Sequence, residues 1–67
     1  MIELSLNNEI ITLSPATALN AALEAWGYEQ KKCAVAINGE FIPRSQYAEV
    51  LLQANDEVDV VAAVGGG

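Results

Sequence analysis

One stretch of this 67-residue chain carries apolar side chains at helical spacing, and it constrains everything around it. Leu19, Ala22, Leu23 and Trp26 recur at i, i+3, i+4 and i+7, with Asn20 and Glu24 on the opposite side. A stripe of this kind has to be buried against another element. Gly27 stands where a C-cap glycine belongs, so the spacing predicts a helix ending at Trp26. Ser14-Pro15-Ala16-Thr17 precedes it, and proline suits a loop or a first helical turn. A hydroxyl there can cap free N–H groups. Thr17 is the preferred N-cap and Ser14 the alternative. Trp26 continues the stripe, so it reads as a core anchor rather than a ligand platform.

The flanking segments have the period of strands. Ile2-Glu3-Leu4-Ser5-Leu6 alternates strictly, which places Ile2, Leu4 and Leu6 inward. Asn7-Asn8 follows as a tight turn, because Asn tolerates positive φ. Glu9 to Leu13 is a second, β-branched strand. After the helix, Tyr28 to Lys32 reads as a polar loop and Cys33 to Ile37 as a third strand. Asn38-Gly39 is a strong hairpin signal. Glu40 to Ile42 is a fourth strand, and Pro43 ends its ladder. Arg44 to Leu52 reads as a helical turn or an ordered connector, and Asn55-Asp56 as a turn. Glu57 to Val64 is the last strand. It begins by alternating and becomes continuously apolar, the pattern of a central strand covered on both faces. Two hairpins, one crossover helix and a final strand predict an α+β fold, a mixed sheet of four to five strands packed on one main helix. Residues 1–64 form the domain, and 65–67 a flexible glycine tail.

Composition excludes whole classes of function. The chain has no His and one Cys, so a Cys/His zinc site or a His-based catalytic pair cannot be assembled, and no metal is expected. A lone Cys forms no internal disulfide, which fits a reducing, cytoplasmic setting. Cys33 reads as a buried structural thiol, with a persulfide carrier as the alternative that nearby Lys31 and Lys32 keep open. Nine acids against Lys31, Lys32 and Arg44 give a net charge of −6. Nucleic acid and anionic membranes are disfavoured, and a basic protein partner is the complement. Asp56, Glu57 and Asp59, near the last strand, are candidates to meet it. Neither a membrane span nor a signal peptide is visible.

The chain ends Val64-Gly65-Gly66-Gly67. Glycine is entropically expensive to order and has nothing to pack. Such an end is either a frayed terminus or an arm that threads a narrow place, carrying the α-carboxylate of Gly67. A final strand leading straight into the glycines favours the arm.

Four stretches carry a family resemblance: Val35-Ala36-Ile37-Asn38, Ile42-Pro43-Arg44-Ser45, Asn55-Asp56-Glu57-Val58 and Val64-Gly65-Gly66-Gly67. In this order and at this length the chain resembles the ThiS family of ubiquitin-like sulfur carriers of thiamine biosynthesis, over its whole length. Asn55 departs from the usual Gly before Asp, but Asn accepts the same left-handed backbone. The resemblance implies a β-grasp fold and a carrier that does no catalysis. It implies that a ThiF-like partner adenylates the Gly67 carboxylate with ATP, while the carrier binds no cofactor. Sulfur from a cysteine desulfurase relay then displaces AMP, and the thiocarboxylate serves a ThiG-like thiazole synthase. Val64, Gly65, Gly66 and Arg44 are the partner-binding candidates; Arg44 is equally placed to hydrogen-bond the connector. Three other readings are a molybdopterin-synthase small subunit, a ubiquitin-like protein modifier and an interaction module with an idle tail.

Overall fold

The computed structural model describes residues 1–62, which form a five-stranded mixed sheet with one helix on one face. The first hairpin is β1 (Ile2–Leu6) with β2 (Glu9–Leu13), paired from Ile2↔Leu13 to Leu6↔Glu9. Asn7 and Asn8 both have positive φ, 51° and 70°, as a two-residue turn matched to strand twist requires. The second hairpin is β3 (Cys33–Ile37) with β4 (Glu40–Ile42), turning at Asn38 (φ 54°) and Gly39 (φ 81°). β5 (Glu57–Ala62) lies between the hairpins, parallel to β1 and antiparallel to β3, giving the order β2-β1-β5-β3-β4. Asn55 has φ 70°, so it takes the left-handed conformation expected of that turn.

The helix α1 (Leu19–Ala25) lies across the sheet and buries Leu19, Ala22 and Leu23. They meet Leu4, Val35, Ile37, Val58 and Val60 from the strands, with Tyr47 and Leu52 from the connector. Trp26 is partly buried against this core, as the stripe implied. The helix ends in a Schellman motif: Tyr28 N–H reaches the Leu23 carbonyl and Gly27 N–H, at φ 88°, the Glu24 carbonyl. No polar or charged side chain is buried among the described residues.

Three expectations need correction. The helix starts at Leu19, its N-cap is Ala18, and no side chain caps it. The Thr17 hydroxyl donates instead to the Ser14 carbonyl, 2.7 Å away. The connector takes over the capping, since Leu19 N–H donates to the Val50 carbonyl and Asn20 N–H to that of Tyr47. A long-range contact thus satisfies donors that a local hydroxyl was expected to satisfy. The second correction concerns Tyr28 to Lys32, where Gln30–Lys32 is a 3₁₀ turn rather than plain loop. The connector also opens with a 3₁₀ turn, Arg44–Gln46, which its sequence anticipated.

The third correction bears on function. β5 is central, but the helix covers only one of its faces. Val58 and Val60 are buried, whereas Val61 is 69% exposed and Ala62 is exposed too. The apolar run therefore does not report burial on both faces. Its last two residues, Ala63 and Val64, lie outside the described residues, as does the proposed boundary at 64/65.

Candidate functional site

β5 is the element that delivers the chain end, and it is gripped at both ends. At its start Asn38 Oδ1 accepts from Glu57 N–H (3.0 Å) and Asn38 Nδ2 donates to Asp56 Oδ1 (3.1 Å). The other Asp56 oxygen accepts from Gln53 N–H at 2.8 Å. Of the three acids expected to face a partner, Asp56 is thus committed to its own turn. Farther along, β1 turns away after Leu6, and the Asn7 side chain takes over its place in the ladder. Asn7 Oδ1 accepts from Val60 N–H (2.8 Å), and Asn7 Nδ2 donates to the Val60 carbonyl (3.3 Å). One amide side chain imitates a peptide group. On the other side β5 stays paired to β3 as far as Cys33↔Ala62. The strand that leads to the tail is therefore held in direction up to its last described residue. Asn7 was legible as a turn residue; its grip on Val60, 53 positions away, had no local signal.

The outer face of β3, β4 and β5 is apolar near this exit. Phe41 pairs with Ala36, and Ala34 pairs with Val61. Phe41 is 66% exposed, and the small side chains of Ala36 and Ala34 stand on the same face. Asp59 stands beside Ala36 on the same face.

Arg44 lies at this end of the sheet. Its Nε donates to the Gln30 carbonyl (2.8 Å) and an Nη to that of Lys31 (3.2 Å). It fastens the second 3₁₀ turn to the first, so its hydrogen-bond partners lie in the Tyr28–Lys32 stretch rather than in the connector, where one of its two expected roles had put them. Cys33 is buried, and burial pushes its thiol up, against a smaller downward pull from Arg44. A thiol so placed is a poor nucleophile. Among the described residues no His, Cys, Asp or Glu cluster is assembled that would hold a metal ion. No helix there is long and apolar enough to cross a membrane. Val64, Gly65, Gly66 and Gly67, the remaining site candidates, lie outside the described residues.

With a β-grasp sheet whose central strand runs into a glycine end, the comparisons with known proteins have a clear meaning. The ThiS family model matches residues 2–67. The chain belongs to the ThiS family. Its members are small sulfur carriers of thiamine biosynthesis, and the match runs through the terminal glycines. The sulfur carrier protein ThiS of Escherichia coli is 24% identical over 66 residues, covering 98% of this chain and 100% of that one. A thiazole synthase of Paramagnetospirillum magneticum is 35% identical over 66 residues, 98% of this chain. This chain spans only 20% of that protein's length. A crystal structure of a thiamine biosynthesis protein (ThiS) from Geobacter metallireducens superposes with a TM-score of 0.84 at 22% identity, covering 98% of this chain and 100% of that one. That likeness shows the β-grasp fold.

Proposed function

We propose that the chain carries sulfur as a thiocarboxylate on Gly67 and delivers it for the thiazole ring of thiamine. A carboxylate is a poor acyl donor because its oxygen leaves badly. An adenylating partner of the ThiF kind attaches it to the α-phosphate of ATP with loss of pyrophosphate. A persulfide on the relay, charged by a cysteine desulfurase, displaces AMP from the resulting anhydride and forms an acyl disulfide. A second thiol then attacks the relay sulfur, forming a disulfide with it and releasing Gly67 as the thiocarboxylate. The thiocarboxylate then serves a thiazole synthase. The carrier contributes no catalytic group and binds no cofactor; its partners do the chemistry. Its own residues present the carboxylate: β5, clasped by Asn7 and paired to β3, aims the chain end, and glycines admit it to a narrow channel. The reaction takes place in the cytoplasm, a setting in keeping with a single unpaired thiol.

The observation that carries this reading is the family match through Gly67. The test is intact mass of the protein expressed with its native C-terminus. A fraction heavier by the oxygen-to-sulfur difference, mapped by fragmentation to Gly67 rather than to oxidised Met1 or Cys33, is the expected result; such a modification changes the chain end covalently. A plain carboxylate in the presence of ATP, a sulfur source and an adenylating enzyme overturns it.

A further inference from the structure

We infer that Asn7 is a positioning residue for adenylation of the Gly67 carboxylate: it holds the end of β5 ready for the adenylating enzyme and so sets the KM of that step. This rests on the sulfur-carrier function proposed above and deepens it. The sheet narrows toward the end of β5. β1 pairs with β5 only at Ser5↔Glu57 and Leu6↔Val58. β4 pairs with β3 only as far as Val35↔Ile42, and Pro43 follows. β5 itself continues past Val58 to Ala62. Where Ala34 faces Val61 and Cys33 faces Ala62, the sheet is therefore two strands wide among the described residues. A two-stranded ribbon is marginal in water by itself.

Each of these two strands has its own fastening at this end. β3 starts immediately after the Gln30–Lys32 turn, which Arg44 holds through the Gln30 and Lys31 carbonyls. β5 has Asn7. The Asn7 N–H donates to the Val58 carbonyl at 2.8 Å. Beyond that bond, the Asn7 side chain is the one group among the described residues that reaches β5 from the β1 side, through its two bonds to Val60. The residue type fits the task. The position takes a φ of 51°, and its side chain accepts from the Val60 N–H and donates to the Val60 carbonyl. Asn meets all three demands. Gly supplies the φ alone, and Asp would set a second acceptor against the Val60 carbonyl.

An enzyme that adenylates Gly67 has to fix the strand that leads to it. Any freedom left in that strand is lost on docking and counts against affinity, and the clasp removes such freedom in advance. Once the enzyme holds the chain end, the clasp adds nothing to the chemical step. Its loss is therefore felt in KM and not in kcat, the mark of an interaction that serves ground state and transition state alike.

The test is steady-state pyrophosphate release by a ThiF-like adenylating enzyme at varied concentrations of the full chain. Asn7→Gly keeps the turn and deletes the amide. It is expected to raise the KM for the carrier about fivefold or more and to leave kcat within about twofold. Asn7→Asp keeps the acceptor for the Val60 N–H and is expected to lie between Asn7→Gly and wild type. Leu23→Ala controls for lost stability: it weakens the core, keeps the clasp, and is expected to leave KM within about twofold at a temperature where all the variants are folded. An Asn7→Gly KM equal to that of wild type overturns the inference. An equal rise in Leu23→Ala also overturns it, because the effect would then be one of stability alone. In both cases a wild type that is adenylated leaves the carrier function standing, and only the positioning falls. A wild type that the enzyme does not adenylate overturns the function beneath it, and the positioning with it.

Discussion

Asn7 does with one side chain what a longer β1 would do with its backbone. Its two bonds to Val60 are partly buried, and its φ of 51° is one that few residues accept. The two contributions separate by substitution. Asn7→Gly keeps the backbone conformation and removes the amide; it is expected to cost about 1–3 kcal/mol in urea unfolding, since Val60 loses two partners. Asn7→Ala adds left-handed strain and is expected to cost about 1 kcal/mol more. Equal stability of Asn7→Gly and wild type would show that the clasp is idle. Two buried residues, Cys33 and Tyr47, set the alkaline limit. Burial pushes the Cys33 thiol above its ordinary 9.0. It pushes the Tyr47 phenol above 10.0, helped by Cys33 and opposed by Arg44 and by a backbone hydrogen bond at Val35. Raised acids of this kind release their protons from the unfolded chain first, so above the ordinary values the unfolded state binds fewer protons and stability falls as pH rises. Their contribution is intact below about pH 8 and is lost progressively as pH climbs through 9.0 and 10.0 toward the raised folded values. Urea midpoints measured against pH are expected to show this fall, and Cys33→Ala is expected to remove its lower part.

At the scale of elements, α1 tests how far local signals decide. Its apolar stripe was legible because burial against a sheet imposes a period that single residues reveal. Leu23→Ala is expected to cost about 2–5 kcal/mol by deleting a fully buried side chain. Thr17→Val is expected to stay within about 0.5 kcal/mol, the range of surface changes, where loss of a true N-cap would cost about 1. A Thr17→Val loss as large as that of a cap would contradict the capping by Val50 and Tyr47 carbonyls. The same contrast explains what the sequence shows and what it hides. Five strands, both hairpin turns and the glycine stop at Gly27 follow from period and φ, which are local. The capping by the connector and the Asn7 clasp join residues 27 to 53 positions apart, where no spacing rule operates. The apolar end of β5 misled for a different reason. Val61 has the side chain of a buried residue on a face that nothing among the described residues covers, so its composition does not report its exposure. At the candidate site the glycine end is conspicuous in the sequence but lies outside the described residues, and the Asn7 clasp on Val60 had no local signal.

On the function proposed above, the whole molecule divides the work between a body ordered by its core and an end that carries the reacting carboxylate. The core side chains among the described residues run from Leu4 to Val60. Stability and carrier function should therefore respond to different substitutions. Deleting Gly67 removes no side chain, so the melting temperature is expected to stay within about a degree, well inside the several degrees per kcal/mol of a domain this size. The same deletion moves the terminal carboxylate back by one residue, about 3.5 Å. A misplacement of even 1 Å can cost a reaction 100-fold, so adenylation and thiocarboxylate formation are expected to fall by at least that factor. Adding one residue after Gly67 moves the carboxylate the other way by the same distance, with the same expected loss. Leu23→Ala should behave in the opposite manner. Assayed at a temperature where it remains folded, it is expected to be adenylated at close to the wild-type rate, because it changes the core and leaves the end of β5 and Gly67 in place. If Leu23→Ala lost activity while folded, or if deletion of Gly67 retained it, then the body would be taking part in the chemistry and the division between scaffold and carried group would fail.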